Sequence, residues 1–141
     1  MDYRALAEQL VDLQTGLHQI PASRYLFALG QGTFFALNYL ATHREVAYPK
    51  ELSRNMAVSS ARIAALLNHM EKQGLITRAA DPEDNRQVVV SLTRQGEALI
   101  REKRAEAVEA VAETLEQLGP EDAEAYLRIQ YKIIRNFMNR A

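Results

Sequence analysis

Residues 74–99 read GLITRAADPEDNRQVVVSLTRQGEAL, and this stretch decides the fold prediction. It begins with apolar and β-branched residues, crosses a charged turn, and continues through three consecutive valines at 88–90. Runs of β-branched residues on both sides of a polar turn are typical of two antiparallel strands. Thr93 follows the second run at a position suited to a helix N-cap. The stretch therefore predicts a two-stranded ribbon with Arg86 near its tip, followed by a helix.

The residues in front of this ribbon predict a helix over 59–73 with one apolar face. The face comprises Ile63, Leu66, Leu67 and Met70. Ser59 is suited to the N-cap, Gly74 to the C-terminal stop, and Pro49 to the first turn of a shorter preceding helix, 50–55. This layout is that of a winged helix-turn-helix. In that fold the second helix can enter the DNA major groove, and the ribbon tip can reach the backbone or the minor groove.

Composition sets limits on the class of protein. The chain has 141 residues, 48% hydrophobic and 25% charged, which is typical of one globular domain. It has no cysteine, which excludes disulfides, cysteine-bound zinc and thiol-based redox sensing in this chain. We expect no membrane span and a cytoplasmic location, because there is no long apolar run and no signal-peptide core at the N-terminus.

Charge is distributed unevenly along the chain. The formal net charge is only −1. Segment 44–94, however, holds eight basic residues against six acidic ones. A mildly basic middle is compatible with a nucleic-acid partner but does not by itself identify one.

The two ends of the chain carry apolar seams on predicted helices. Leu6, Leu10, Leu13, Leu17 and Ile20 repeat at the four-three spacing of a coiled coil, up to an interruption at 21–23. A later seam comprises Ala123, Leu127, Ile134 and Phe137. We predict that 1–141 is one domain, in which 30–94 bind DNA while 1–29 and 95–141 form a homodimer. Pairing with a second copy would bury the seams.

Two segments resemble the MarR family of regulators, and the resemblance covers about residues 30–100. The segments are PKELSRNMAVSSARIAALLNHMEKQGLITR at 49–78 and DPEDNRQVVVSLTRQG at 81–96. The resemblance implies a mainly α (α+β) winged helix-turn-helix with a two-stranded wing and terminal dimerisation helices. It also implies a homodimeric regulator, usually a repressor, that small aromatic ligands often release. In this family Arg86 would enter the minor groove while Asp84 orients a basic side chain.

The candidate DNA-binding residues lie on the two helices and the wing. They are Pro49, Lys50, Ser59, Ser60, Ala61, Arg62, Ala65, Asn68, Lys72, Arg78, Asp84 and Arg86. Asparagine can pair with adenine, arginine with guanine, and alanine can contact a thymine methyl group. Two ordinary alternatives stay open. The helix could be an amphipathic helix that merely faces solvent, and the Asp84–Arg86 pair could only shape the turn.

Aromatic residues before the helix-turn-helix could line a pocket for a small aromatic ligand. The candidate residues are Arg24, Tyr25, Phe34, Phe35, Asn38 and Tyr39, with Arg24 suited to a carboxylate. The alternative is an ordinary core and interface. We expect no metal, because His18, His43 and His69 are far apart in sequence.

No cofactor and no enzymatic activity are expected, because the chain has neither a phosphate-binding loop nor a dinucleotide fingerprint. The alternative function is a ligand-sensing or protein-interaction module on the same scaffold without specific DNA binding.

Overall fold

The computed structural model describes residues 1–140, which form seven helices and three short strands. The elements are α1 (Tyr3–Leu17), α2 (Pro21–Leu29), α3 (Gly32–Thr42), β1 (Val46–Ala47), α4 (Pro49–Met56), α5 (Ser60–Lys72), β2 (Ile76–Ala80), β3 (Val88–Leu92), α6 (Arg94–Leu118) and α7 (Pro120–Arg140). No helix within 1–140 has both the length and the apolarity needed to cross a membrane. The predicted fold class, mainly helical with a two-stranded wing, is confirmed.

The chain divides into two compact units. One unit comprises residues 24–106, and the other comprises residues 1–23 together with those from 107 onward. The first unit has a continuous apolar core. Its fully buried members include Leu37 and Leu40 of α3, Leu52 of α4, Ile76 of β2 and Ile100 of α6.

Helix α5 begins and ends where the sequence predicts. The Ser59 hydroxyl accepts the Arg62 amide hydrogen at 3.2 Å, which caps the N-terminus. Gly74 follows the helix at φ +77°. Its amide donates to the carbonyl of Glu71, and the Leu75 amide donates to that of Met70, both at 3.0 Å. This pair of bonds is the Schellman arrangement, which favours glycine.

Three features near the other helices and strands differ from the predictions. Pro21 is the first residue of a separate helix, α2, and Ile20 lies in the turn before it rather than on α1. The sequence of residues 44–47, in front of α4, indicates a short extended link, but Arg44 and Glu45 form a left-handed turn with φ of 65° and 66°. β1 then pairs with β3, so the sheet has three antiparallel strands in the order β1-β3-β2. The β1–β3 pairing depends on residues distant in sequence.

Candidate nucleic-acid interface

Helix α5 divides into a buried face and an exposed face. Ile63, Leu67 and Met70 are at most 2% exposed, and Leu66 is partly buried against the same core. The opposite side exposes Ala61, Arg62, Ala64, Ala65, Asn68, His69 and Lys72. Every candidate residue predicted on this helix therefore lies on the exposed side. The surface combines methyl groups with a few long polar side chains.

The start of α4 adjoins this surface. A groove of about 470 Å³ lies among α4, α5 and the two wing strands. Pro49, Lys50, Ser60 and Arg78 are among the residues that line it. The structure thus brings candidate residues from two helices and one strand to the same concave surface.

The wing ends in a tight turn that exposes Arg86. Asp84 Oδ1 accepts the backbone amide of Arg86 at 3.1 Å and its Nε at 3.3 Å. The amide of Gln87 donates to the Asp84 carbonyl at 2.9 Å, which closes the turn. The Arg86 side chain is 93% exposed. An exposed ion pair contributes only ~0–1 kcal/mol to stability, so the pair orients the arginine more than it stabilises the fold.

A buried carboxylate anchors the base of the wing, which the sequence analysis did not predict. Asp81 is 7% exposed. Its carboxylate accepts the Tyr48 hydroxyl at 2.6 Å and the Glu83 amide at 3.0 Å. The Tyr48 hydrogen bond, followed by the Glu83 amide, lowers the pKa of Asp81 below its ordinary value. The amide of Tyr48 also donates to Glu51 at 3.0 Å, so Tyr48 ties the wing to the start of α4.

Arg78 lies on β2 against the second half of α5. Its Nη2 donates to Glu71 Oε1 at 3.0 Å and to Asn68 Oδ1 at 2.5 Å. Its backbone amide donates to the other oxygen of Glu71, also at 3.0 Å. The side-chain hydrogen bond from Arg78 is the largest cause of the lowered pKa of Glu71. The guanidinium of Arg78, predicted as one of the DNA contacts, is therefore engaged by two side chains of α5.

The candidate ligand-pocket residues on α3 make contacts within the winged unit. The Tyr39 hydroxyl donates to Glu51 at 2.8 Å, and its ring stacks on His43 with centroids 3.8 Å apart. The ring of Phe35 lies 6.4 Å from that of Tyr39. Asn38 accepts a hydrogen bond from Arg104 of α6 at 2.6 Å.

Of the remaining pocket candidates, Phe34 lies on α3, whereas Arg24 and Tyr25 lie on α2. Lys103 stands 5.3 Å from the centre of the Phe34 ring. Arg24 and Tyr25 lie on α2 with exposed side chains. The ligand pocket stays a prediction.

The sequence and the fold of the chain are similar to those of known proteins. The model of the MarR family matches residues 29–87. The organic hydroperoxide resistance transcriptional regulator of Bacillus subtilis is 40% identical over 70 residues, which are 50% of this chain and 46% of that regulator. Residues 29–87 are therefore similar to the MarR family of regulators. The chain spans about half the length of two of the curated relatives that it matches.

Solved structures share the fold of the chain. A MarR family protein of Bacillus stearothermophilus superposes with a TM-score of 0.80 at 24% identity, covering 98% of this chain and 99% of that one. A probable transcriptional regulator of Pseudomonas aeruginosa gives a TM-score of 0.61 at 28% identity, covering 87% and 98%. The Bacillus subtilis and Pseudomonas aeruginosa proteins are named as transcriptional regulators, in agreement with the predicted class of function.

Proposed function

We propose that the protein is a homodimeric repressor that binds a pseudo-palindromic operator in double-stranded DNA. The observation that carries this proposal is the arrangement of one unit. The exposed face of α5 and the tip residue Arg86 belong to the same unit, which the Tyr48–Asp81 hydrogen bond braces. A helix of this kind fits the major groove, and a ribbon beside it can reach the adjacent minor groove.

Charge and exposure support the assignment of roles. Arg62 and Lys72 are exposed on α5, and Lys50 is exposed in the first turn of α4. Phosphate contacts position a protein on the duplex, and contacts to base edges specify the sequence. We therefore assign Lys50 to the phosphate backbone. Arg86 is assigned to the minor groove, whose negative potential favours an inserted guanidinium.

Unpartnered apolar surface supports the dimer. Leu10 and Leu13 of α1 are 58% and 61% exposed, and Ile134 and Phe137 of α7 are 57% and 73% exposed. Large apolar patches on a soluble chain usually mark an interaction surface. A two-fold dimer would present two α5 helices to half-sites about one helical turn apart.

Release by a small aromatic acid is a further part of the proposal. A structural neighbour at 20% identity is the Bordetella bronchiseptica regulator BpsR, whose DNA binding is regulated by 6-hydroxynicotinic acid. In the present chain the α3 aromatic residues and Arg24 could bind such a ligand. A ligand releases DNA only if it binds the DNA-free arrangement more tightly than the DNA-bound one.

The test is selection of bound duplexes from a random DNA library at two salt concentrations. The expected result is an enriched palindrome whose affinity falls steeply with salt, because several phosphates are neutralised. Weak binding without an enriched sequence would contradict the proposal and favour a sensing or interaction module.

One substitution tests the wing. Arg86→Ala should weaken binding to the enriched duplex and reduce the salt slope by about one per protomer. Arg101→Ala is the matched control, because Arg101 is also exposed and ion-paired but lies on α6. Equal affinity of the Arg86→Ala variant and the wild type at fixed salt would remove the wing from the interface.

A further inference from the structure

The side-chain amide of Asn68 has a determined orientation. Arg78 Nη2 lies 2.5 Å from one of its terminal atoms. A guanidinium has five N–H donors and no acceptor, so the atom that faces it must be the amide oxygen. The NH₂ group of Asn68 therefore points away from Arg78. Oxygen and nitrogen of an asparagine amide are otherwise easily confused, but the chemistry of the partner removes the ambiguity here.

Arg78 is itself held in place from two sides. Glu71 accepts both its Nη2 and its backbone amide at 3.0 Å. The residue also pairs with Val90 across the β2–β3 ladder. Only 26% of its side chain is exposed. A partly buried guanidinium with a carboxylate partner is costly to withdraw, because the carboxylate would lose its counter-ion. Arg78 thus acts as a positioning residue for Asn68.

The position of Asn68 makes this orientation relevant to recognition. Asn68 is exposed on the side of α5 opposite Ile63, Leu67 and Met70. An asparagine pairs with adenine through both ends of its amide, since the oxygen accepts from N6 while the nitrogen donates to N7. The oxygen of Asn68, however, already accepts a hydrogen bond from the Arg78 guanidinium. An adenine amino group at the same oxygen would be a second donor beside that positive charge, which disfavours adenine.

We propose that Asn68 reads DNA only as a hydrogen-bond donor and selects guanine over adenine. This inference rests on the proposed function. Guanine presents two adjacent acceptors, O6 and N7, in the major groove, and no donor at those positions. Cytosine presents a donor there and is disfavoured for the same reason as adenine. The Glu71–Arg78–Asn68 chain therefore sets the base preference at one position of each half-site.

The experiment compares base preferences for the wild type and three variants, each first checked for a cooperative thermal transition. Wild type should prefer guanine over adenine about tenfold at one position in each half-site. Asn68→Ala should lose that preference while other positions stay unchanged. Arg78→Met frees the amide, so the same position should shift towards adenine. Arg101→Met, which removes one arginine from α6, should keep the wild-type profile.

Base analogues in wild-type duplexes give a second readout that needs no variant. Replacing the selected guanine by 7-deazaguanine should weaken binding, because one acceptor is removed. One result would overturn the inference: the wild type selects adenine at the position whose preference Asn68→Ala alters, and it loses affinity when the 6-amino group of that adenine is removed. An unchanged profile for Asn68→Ala would do the same. In both cases the enriched palindrome itself would leave the proposed function standing, whereas no enrichment at all would overturn both.

Discussion

Substituting Gly96 by alanine tests the close junction between α6 and the segment before β2. A Cβ atom at Gly96 would lie 2.2 Å from the carbonyl oxygen of Leu75 and 2.9 Å from Cδ1 of Leu92. The same carbonyl accepts the Thr93 amide at 3.1 Å. The Thr93 hydroxyl accepts the Gly96 amide at 3.0 Å and donates to the Gly74 carbonyl at 2.7 Å. The methyl group must therefore displace backbone that is hydrogen-bonded on both sides.

The expected cost follows from three contributions. Overpacking of a close contact costs ~1–3 kcal/mol. Distorting one or two hydrogen bonds of Thr93 costs about 1 kcal/mol each. The higher helix propensity of alanine offsets this cost by up to about 1 kcal/mol. We expect a net loss of about 2–3 kcal/mol in the free energy of unfolding, equivalent to a Tm lower by roughly 10 °C for a chain of this size.

Thermal and urea unfolding followed by circular dichroism provide the assay. All samples need the same protomer concentration, because dimer formation makes Tm depend on concentration. Gly16→Ala is the control, since within residues 1–140 no atom beyond its chain neighbours and the nearby backbone of α1 lies within 4 Å of a Cβ atom at this position. It should stabilise the protein by up to about 1 kcal/mol. A Gly96→Ala variant that melts at or above the wild-type temperature would refute the reasoning.

Three further substitutions test other parts of the structure. Ala57 ends α4 at a φ of 55°, so Ala57→Gly should raise the free energy of unfolding by about 0.5–1 kcal/mol; a urea midpoint that stays or falls would contradict this. The hydrogen bond from the Tyr48 hydroxyl is the main cause of the lowered pKa of Asp81. The ionised Asp81 carboxylate therefore stabilises the folded state at pH values above the ordinary pKa of Asp. This stabilisation is lost as the pH falls through the lower pKa that Asp81 has in the folded state. Tyr48→Phe should raise the pKa of Asp81 in a carboxyl-carbon NMR titration and make acid destabilisation less steep; an unchanged pKa would disprove the role of the hydroxyl. Leu13→Glu places a charge on the exposed seam of α1 and should lower the sedimentation coefficient towards that of a monomer; a variant that sediments like the wild type would argue against α1 in the interface.

Local signals account for the parts of the fold that the sequence predicts. Ser59 and Gly74 each bound α5 through a hydrogen bond to a residue three positions away. Thr93 caps α6 by accepting the Gly96 amide. The charged turn between the valine run and Ile76 produces the wing. Each of these features depends on residues close in sequence, so the pattern alone predicts it.

The features that the sequence analysis missed depend on distant partners. Tyr48 and Asp81 are 33 positions apart, and neither carries a local sign of the bond between them. The short β1 strand exists because β3 pairs with it. The engagement of Arg78 by Asn68 likewise requires the actual packing of β2 on α5. The sequence predicts Arg78 only as a candidate DNA contact, because charge and spacing do not show which side chains of the protein its guanidinium contacts.

The division of α5 into two faces has a consequence for how such a regulator evolves. Its buried stripe is set by the core, whereas Ala61, Ala64 and Ala65 are exposed. Substitutions at exposed helical positions usually change stability by less than ~0.5 kcal/mol. If α5 reads DNA as proposed, single mutations there can redirect the protein to new target genes while folding is preserved. After gene duplication, two copies could therefore diverge in regulon without compensating changes elsewhere in the chain.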